Sequence, residues 1–389
     1  MTDTIVVYTG APDSEDAARE LCDRITAGMP GAPPDALVLF ASPQYDQPAL
    51  LKALMARCKP KVLIGASSAG EFTSEARGTG LACALALRSD EIVFAAGVGR
   101  AIGADRQKAA QELAASFHDA PPHTHPYRSA LIMTDALAGH ADDLVEQLTI
   151  ATGGQYQFFG GGAGDDAQFR RTNVFFGTEA LTDAVVALEM LSSKPLGIGV
   201  GHGWKPAGPA MRVTEARGAT LLSLNGLPVM EAFEDHALAT EQTFDRDEPL
   251  PFFLHNILGI DTGSGYRLRV PLSVGADGSV TCASEIPVGA RVHIMAADTD
   301  SAVEAARRAT ESAIAALQGK KPRVALFFDC VATRLRMGEA FGQELDALGQ
   351  LLGPTVTFLG CNTHGQIARA EGQFGGFHNC TAVVCVLPE

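Results

Sequence analysis

The sequence predicts an α/β protein: mixed β-sheets with helices packed on them, forming two lobes built from repeated strand–helix–strand units that end in a glycine turn. Three observations carry this. At 389 residues the chain is too long for one ordinary compact core. With 46% hydrophobic and 19% charged residues, it can fill large sheets and does not read as disordered. Lastly, a short apolar strand, a polar loop, a helix and a second strand closed by glycine recur three times.

The first copy runs from Asp35 to Phe72, the second from Ser129 to Asp166 and the third from Arg323 to Ile367. Each has the rhythm of two neighbouring parallel strands joined by a crossover helix. Their closing turns read GASSAGEF, GGGAGDD and GCNTHGQI. Glycine permits positive φ and close approach of a ligand or chain segment, so the three turns are candidate walls of one or two pockets. Short strands follow in GLACALALRSDEIVFAAGVG and FGGFHNCTAVVCVL, with a helix expected from Ala104 to Phe117. A similar strand and helix, RVHIMAAD and Ser301 to Leu317, precede the third copy.

Between the second and third copies lies a β-rich stretch, from VVALEML through VGHGWKPAGPAMRV to RLRVPLSV and SVTCASEIPVGARVHIM. Alternating apolar residues with Gly-Pro punctuation read there as strands and hairpins. The proline-rich HDAPPHTHPYRS and the acidic stretch from Glu231 to Glu248 are breaks, and the lobes are expected to divide as 1–220 and 221–389.

The net charge of −15, from 45 acidic against 30 basic residues, repels a phosphate backbone and an anionic membrane surface. The start, MTDTIVVYTG, carries no signal segment, and no stretch reaches the roughly 18 apolar residues of a membrane span, so a soluble, cytoplasmic protein is expected. Eight cysteines (Cys22, Cys58, Cys83, Cys282, Cys330, Cys361, Cys380 and Cys385) form no CxxC pair. Most sit in apolar runs such as LACALAL and CTAVVCVL, and they are read as buried, reduced thiols.

Candidate ligand-binding residues cluster at the turns: Ser67, Ser68, Gly70 and Glu71 in the first, Gly162, Asp165 and Asp166 in the second. Lining a cavity, the carboxylates would favour a cationic or amino group; alternatively Asp165 and Asp166 cap the following turn through backbone N–H groups. No Lys or Arg lies in these loops, which argues against a phosphate-binding P-loop. Ser67 and Ser68 raise an alternative hydrolase reading, but ASSAG lacks the first glycine of a G-x-S-x-G elbow, and spacing assigns no His or Asp partner.

His202 and Trp204 fall in GHGWKP, where the indole either walls a pocket or anchors a loop. His202, His364 and His378 are alternative axial ligands for a haem, or else hydrogen-bonded structural histidines. Without a C-x-x-C-H attachment any haem would be non-covalent. His123 and His125 in PPHTHP lack further metal ligands nearby and read as a solvent-exposed loop. Arg269, in YRLR, is suited to gripping a carboxylate, with an exposed surface ion pair as the alternative. Asn379, in FHNCTAVV, completes the ligand-binding set.

GASSAGEF, GGGAGDD and GVGHGWKPAGPAMRVTEARGATLLSLNGLPVMEAF, then YRLRVPL, DGSVTCASEIPVGARV, ALFFDC and FHNCTAVV, resemble in their order the signatures of the FIST family across nearly the whole chain. Two features depart from the family pattern. Gln366 stands where a Gly-Glu-Ile turn is usual, and the arginine near the Phe-x-Cys strand is displaced to Arg334. The resemblance implies a sensory module, not an enzyme, that binds a small ligand and signals to a histidine kinase, cyclase or chemoreceptor. Some stand-alone bacterial members bind haem and sense nitric oxide, which makes haem-based sensing the alternative. The chain carries no kinase, cyclase or DNA-binding signature, so its output would pass through a separate protein. Signalling then requires that the ligand favour one conformation over another.

Overall fold

The computed structural model describes residues 2–118, 124–370 and 376–389. One unit is used three times. Unit I runs through strand Thr2–Thr9, helix Ser14–Gly28, strand Ala36–Ala41, helix Gln47–Cys58 and strand Val62–Ser67. A hairpin of Glu71–Thr73 with Arg77–Gly78 and a long strand Ala82–Ser89 complete it. Unit II repeats the order as Ile92–Arg100, Arg106–Ala114, Tyr127–Thr134, Ala141–Ala151, Gln157–Gly162, the hairpin Val174–Phe176 with Glu179–Leu181, and Ala184–Ser192. Unit III begins with strand Gly197–Gly201 and resumes at helix Thr299–Ala316, strand Pro322–Cys330, helices Val331–Met337 and Gly342–Leu352, and strand Thr357–Thr363. It ends with the hairpin Gln366–Arg369 with Gly376–His378 and strand Ala382–Pro388.

The three sequence copies are the parallel pairs at the heart of each unit, Ala36–Ala41 with Val62–Ser67 and its two counterparts. The long closing strand returns antiparallel between the unit's first and second strands. The hairpin leaves its own sheet. Unit I's hairpin pairs with unit III at Thr357–Thr363, unit II's with unit I at Val62–Ser67, and unit III's with unit II at Gln157–Gly162. Each six-stranded sheet therefore holds four strands of one unit and two of another, and the exchange closes in a cycle.

The parallel strands at the centre of each unit are mostly apolar because both faces are covered. In Ala36–Ala41, Leu37, Leu39 and Ala41 pack beneath the unit's own helices, whereas Ala36, Val38 and Phe40 enter a core shared by all three sheets. There Phe40 of unit I lies 5.6 Å from Phe328 of unit III, and Phe159 of unit II lies 6.3 Å from it. Burying each such ring stabilises the fold by about 1.5–3 kcal/mol. Aspartates set the helix starts: Asp13, Asp46, Asp105 and Asp298 each cap a helix by accepting backbone N–H bonds.

Glycine has a packing role in unit III. A Cβ on Gly199 would lie 1.8 Å from the Ala309 carbonyl oxygen, and one on Gly197 equally close to that of Ala313. The strand thus lies directly on helix Thr299–Ala316, whose facing residues Ala305, Ala306, Ala309 and Ala313 are buried.

Residues 205–296 are an insertion in unit III, forming a nine-stranded sheet with helix Val229–Ala239. The strand RVHIMA, expected to lead into the third copy, belongs to this inserted sheet; the true partner of helix Thr299–Ala316 is Gly197–Gly201, far upstream. Residue 220 opens strand Thr220–Leu224 of the insertion, while unit III draws on chain from both sides of it. Trp204 sits at the joint, buried with Ile257, Met295, Cys330 and Cys380 beneath the Arg336 guanidinium, 5.3 Å from its ring.

The cysteine expectation needs one correction. Six cysteines are free and buried, but Cys22 and Cys58 are disulfide-bonded. Helices Ser14–Gly28 and Gln47–Cys58 lie side by side on one sheet face, bringing the two Cα atoms to 5.4 Å, within bridging range. Among the described residues no helix is long and apolar enough to cross a membrane.

Candidate functional site

The three glycine turns meet at the carboxyl ends of the parallel strands, where ligands of open α/β sheets bind. They are hydrogen-bonded to one another. Ala69 N–H donates to the Asn362 carbonyl (2.9 Å) and Asn362 N–H to that of Gly70 (2.8 Å). Gly164 N–H donates to Ser67 (2.8 Å), and Gly162 N–H to Gly365 (2.8 Å). The hairpin exchange forces this contact, because each turn must cross from its own sheet to the next.

Glu71 is fully buried beside these contacts. Its carboxyl accepts from the Ser68 hydroxyl and from Leu81 N–H (3.0 Å). Burial pushes it up to about 7; Asp166 adds to the rise, and the two hydrogen bonds and Arg334 oppose it. Asp166, from the unit II turn, accepts from the Ser42 hydroxyl at 3.3 Å and is also raised by burial, while its Oδ1 is buried without a partner.

Two clefts flank this group. One, of about 480 Å³, lies between the unit I turn and helix Val331–Met337, lined by Glu71, Phe72, Arg77, Arg334, Glu339 and Asn362. The other, of about 540 Å³, lies between the loop after strand Ala36–Ala41 and the unit II turn, with Tyr45, Gln47, Asp166, Arg170 and Asn173 among its walls. In the first cleft, Arg334 Nε and Asn362 Nδ2 are buried without hydrogen-bond partners. Gly70, at φ +137°, permits this close packing: a Cβ there would lie 2.8 Å from Asn362 Oδ1 and 3.3 Å from Arg334 Nε.

The structure thus brings Ser68, Gly70, Glu71 and Asp166 together and distributes the other candidates elsewhere. Ser67 is tied to Asn173, accepting its N–H at 2.9 Å and donating to its carbonyl at 3.3 Å. Gly162 is part of the turn junction, packed against Ala136 and His364. Asp165 spends its oxygens on the backbone N–H groups of Phe169, Arg170 and Arg171, the capping role weighed from sequence. Asn379 is buried, its Nδ2 donating to the His378 carbonyl at 3.3 Å.

Arg269 does not reach a cleft. Only 1% exposed, it donates to Asp142 and to the carbonyls of Glu285 (2.9 Å) and Leu268 (2.9 Å), because its strand faces the core units instead of solvent. Asp142 also meets Arg267 at 3.4 Å, so this cluster fastens the inserted lobe to unit II.

The three histidines do not share one site. His202 and His378 line a pocket of about 230 Å³ with Tyr266 and Thr381. Burial lowers His202 and takes His378 down to about 3. His364 lies elsewhere, stacked on Phe169 at 4.4 Å with Nε2 3.5 Å from Asp165, and burial brings it down to about 4. His125 is half-buried and contacts Thr124; His123 lies outside the described residues. No group of three or more potential metal ligands occurs among the described residues. Sequence reasoning missed Ser42 and Asn362 and noted Arg334 only as a displaced residue.

In sequence, residues 35–227 match the FIST N domain and residues 233–369 the FIST C domain. The chain belongs to the FIST family. FIST domains are associated with signal-transduction sensors that bind small ligands. No curated protein matches the chain. Among solved structures, cyanuric acid hydrolase from A. caulinodans is 10% identical, with 99% of each chain covered and a TM-score of 0.39. PurLQS from Thermotoga maritima is 11% identical, with 100% of this chain and 72% of that chain covered and a TM-score of 0.24. At such scores neither likeness bears on fold or chemistry, and the FIST assignment rests on the family match.

Proposed function

We propose that the protein is a sensor, not an enzyme, and that its small ligand occupies the cleft between the unit I turn and helix Val331–Met337. One observation carries this reading: unpaired buried polar groups, Arg334 Nε and Asn362 Nδ2, converge on a cleft of about 480 Å³ beside the buried Glu71. Buried polar groups are almost always hydrogen-bonded, and this volume falls within the range of small-molecule sites. The walls come from different units, Glu71 from unit I and Arg334 and Asn362 from unit III. A ligand bridging them favours the arrangement in which the units are closed, which gives occupancy a conformational consequence. The occupied form would be read by a separate signalling protein such as a histidine kinase, cyclase or chemoreceptor.

The hydrolase alternative draws less support. Ser67 is committed to Asn173, and Ser68 is fully buried against Glu71, so neither presents a nucleophile with a histidine base. Haem fits the described pockets poorly. The pocket shared by His202 and His378, at about 230 Å³, is smaller than the roughly 300–1,000 Å³ of ordinary ligand sites, and haem is a large ligand. His364 is covered by Phe169.

The test is hydrogen–deuterium exchange with and without a ligand found by thermal-shift screening. Slower exchange in both the unit I turn and helix Val331–Met337 is expected. Protection confined to the inserted lobe would refute the assigned site. Release of a chemically altered ligand would refute the non-enzymatic reading.

A further inference from the structure

We propose that the ligand of this cleft is a small monocarboxylate, gripped by Arg334 and Asn362 beside the buried Glu71 carboxyl. The inference rests on the sensor reading above and names the ligand class for that same site. Its first support is the polarity of the unpaired groups. Arg334 Nε is a donor, as is Asn362 Nδ2, and both are buried without a partner. The Arg334 side chain makes no ion pair or hydrogen bond to another described residue, so its charge is available to a ligand. A guanidinium presents its donors in a planar fork that matches a carboxylate.

Further support comes from shape. Because Gly70 has no side chain, Asn362 Oδ1 and Arg334 Nε can approach its backbone closely at the cleft wall. The cleft that they border, of about 480 Å³, has room for a carboxylate group and a short stem.

The surrounding charges narrow the class to monoanions. Asp166 from unit II and Glu71 from unit I lie within electrostatic reach of Arg334. Tyr45, Cys83 and Cys361 also sense Glu71, and Arg77 and Glu339 stand on the cleft wall, Arg77 already facing Asp346 at 3.3 Å. A second negative charge on the ligand would meet Asp166 and Glu71 with no free cation to balance it among the described lining residues. A single carboxylate is tolerated when Glu71 holds its proton, which its burial favours up to about pH 7. Binding then takes up a proton: the ligand anion strengthens Glu71's hold on it, and affinity falls as pH rises above about 7, by at most about tenfold per pH unit.

The experiment is ligand-observed saturation-transfer NMR on the full chain with acetate and propionate. Succinate serves as the dianion probe, ethylamine as a cation and glycerol as a neutral probe. Wild type, Arg334→Gln and Glu71→Gln are compared, with thermal melts confirming that all three fold. Acetate and propionate are expected to bind better than succinate, and Arg334→Gln to weaken them by about tenfold or more, as loss of a charged hydrogen bond does. Glu71→Gln, neutral at every pH, is expected to bind equally well at about pH 6 and pH 8.5, where wild type weakens.

Carboxylate binding unchanged by Arg334→Gln, or pH-independent in wild type, overturns the proposal. Ethylamine or glycerol binding in an Arg334- or Glu71-dependent way, without carboxylate binding, overturns the monocarboxylate class but leaves the cleft as the sensor site. If no probe responds to either substitution, and a separately identified ligand ignores both as well, the site assignment falls with the ligand class.

Discussion

Glu71→Gln is expected to remove a pH-dependent loss of stability. In the native protein Glu71 is fully buried and its carboxyl is raised to about 7 from the ordinary 4.5. The direction follows from proton counting. Between those two values the folded state holds a proton at Glu71 that the unfolded state has released, so stability falls as pH rises. The stabilising protonated form is fully present below about 4.5 and lost through about 7. At about 1.36 kcal/mol per pKa unit, the whole excursion amounts to about 3 kcal/mol.

Glutamine keeps the shape and can accept from Leu81 N–H while donating to the Ser68 hydroxyl, but it never ionises. Denaturant unfolding of wild type and variant at about pH 5 and about pH 8 measures the difference, and the raised carboxyls Asp329 and Glu344 cancel because both proteins carry them. The variant should gain about 2–3 kcal/mol relative to wild type between the two pH values. An equal stability difference at both would mean that Glu71 is ionised in the native state, and the account of the cleft's electrostatics would be wrong.

Other expectations follow from the packing. Asp142→Ala leaves Arg269 buried without its carboxylate, which should destabilise the protein by about 3–5 kcal/mol and speed hydrogen exchange in strand Tyr266–Arg269 first. Faster exchange in unit I alone would contradict its fastening role. Gly199→Ala drives a methyl into the Ala309 carbonyl and should destabilise by about 1–3 kcal/mol or more, whereas the same change at Gly265, which has open space and no positive φ, should cost far less; equal effects of the two would refute the contact argument. Thiol titration of the denatured, unreduced protein should find six reactive cysteines and, after reduction, eight. Eight before reduction would show the Cys22–Cys58 bond absent, and with it a loop-closure contribution of about 3–4 kcal/mol.

Much of the fold was legible because its signal is local. Runs such as ALVLFA and VALFFDC announce doubly covered strands, and three glycine turns mark where the parallel pairs end. The hairpin exchange was not legible. A strand of three residues such as Glu71–Thr73 carries no record of which sheet it will join, since that is decided by how the units pack. The insertion misled for a related reason: RVHIMA is adjacent in sequence to helix Thr299–Ala316, yet Gly197–Gly201 packs against it, and its glycines mark helix contact instead of a turn.

The site was half visible. Glu71 and Asp166 stood out as charges in small-residue turns. Asn362 did not, enclosed in the buried strand TFLGCNT, and Arg334 depends on where helix Val331–Met337 is placed in space. Arg269 was misread because alternation along YRLR does not reveal that a second lobe covers the outward face.

The central claim, that Arg334 and Asn362 hold a ligand, is tested most directly by a parallel thermal-shift screen of wild type and Arg334→Gln against one library of small metabolites. The account expects at least one compound, a monocarboxylate, to raise the wild-type melting temperature and to leave the variant's unchanged. Compounds that stabilise both proteins equally, with none dependent on Arg334, would contradict it.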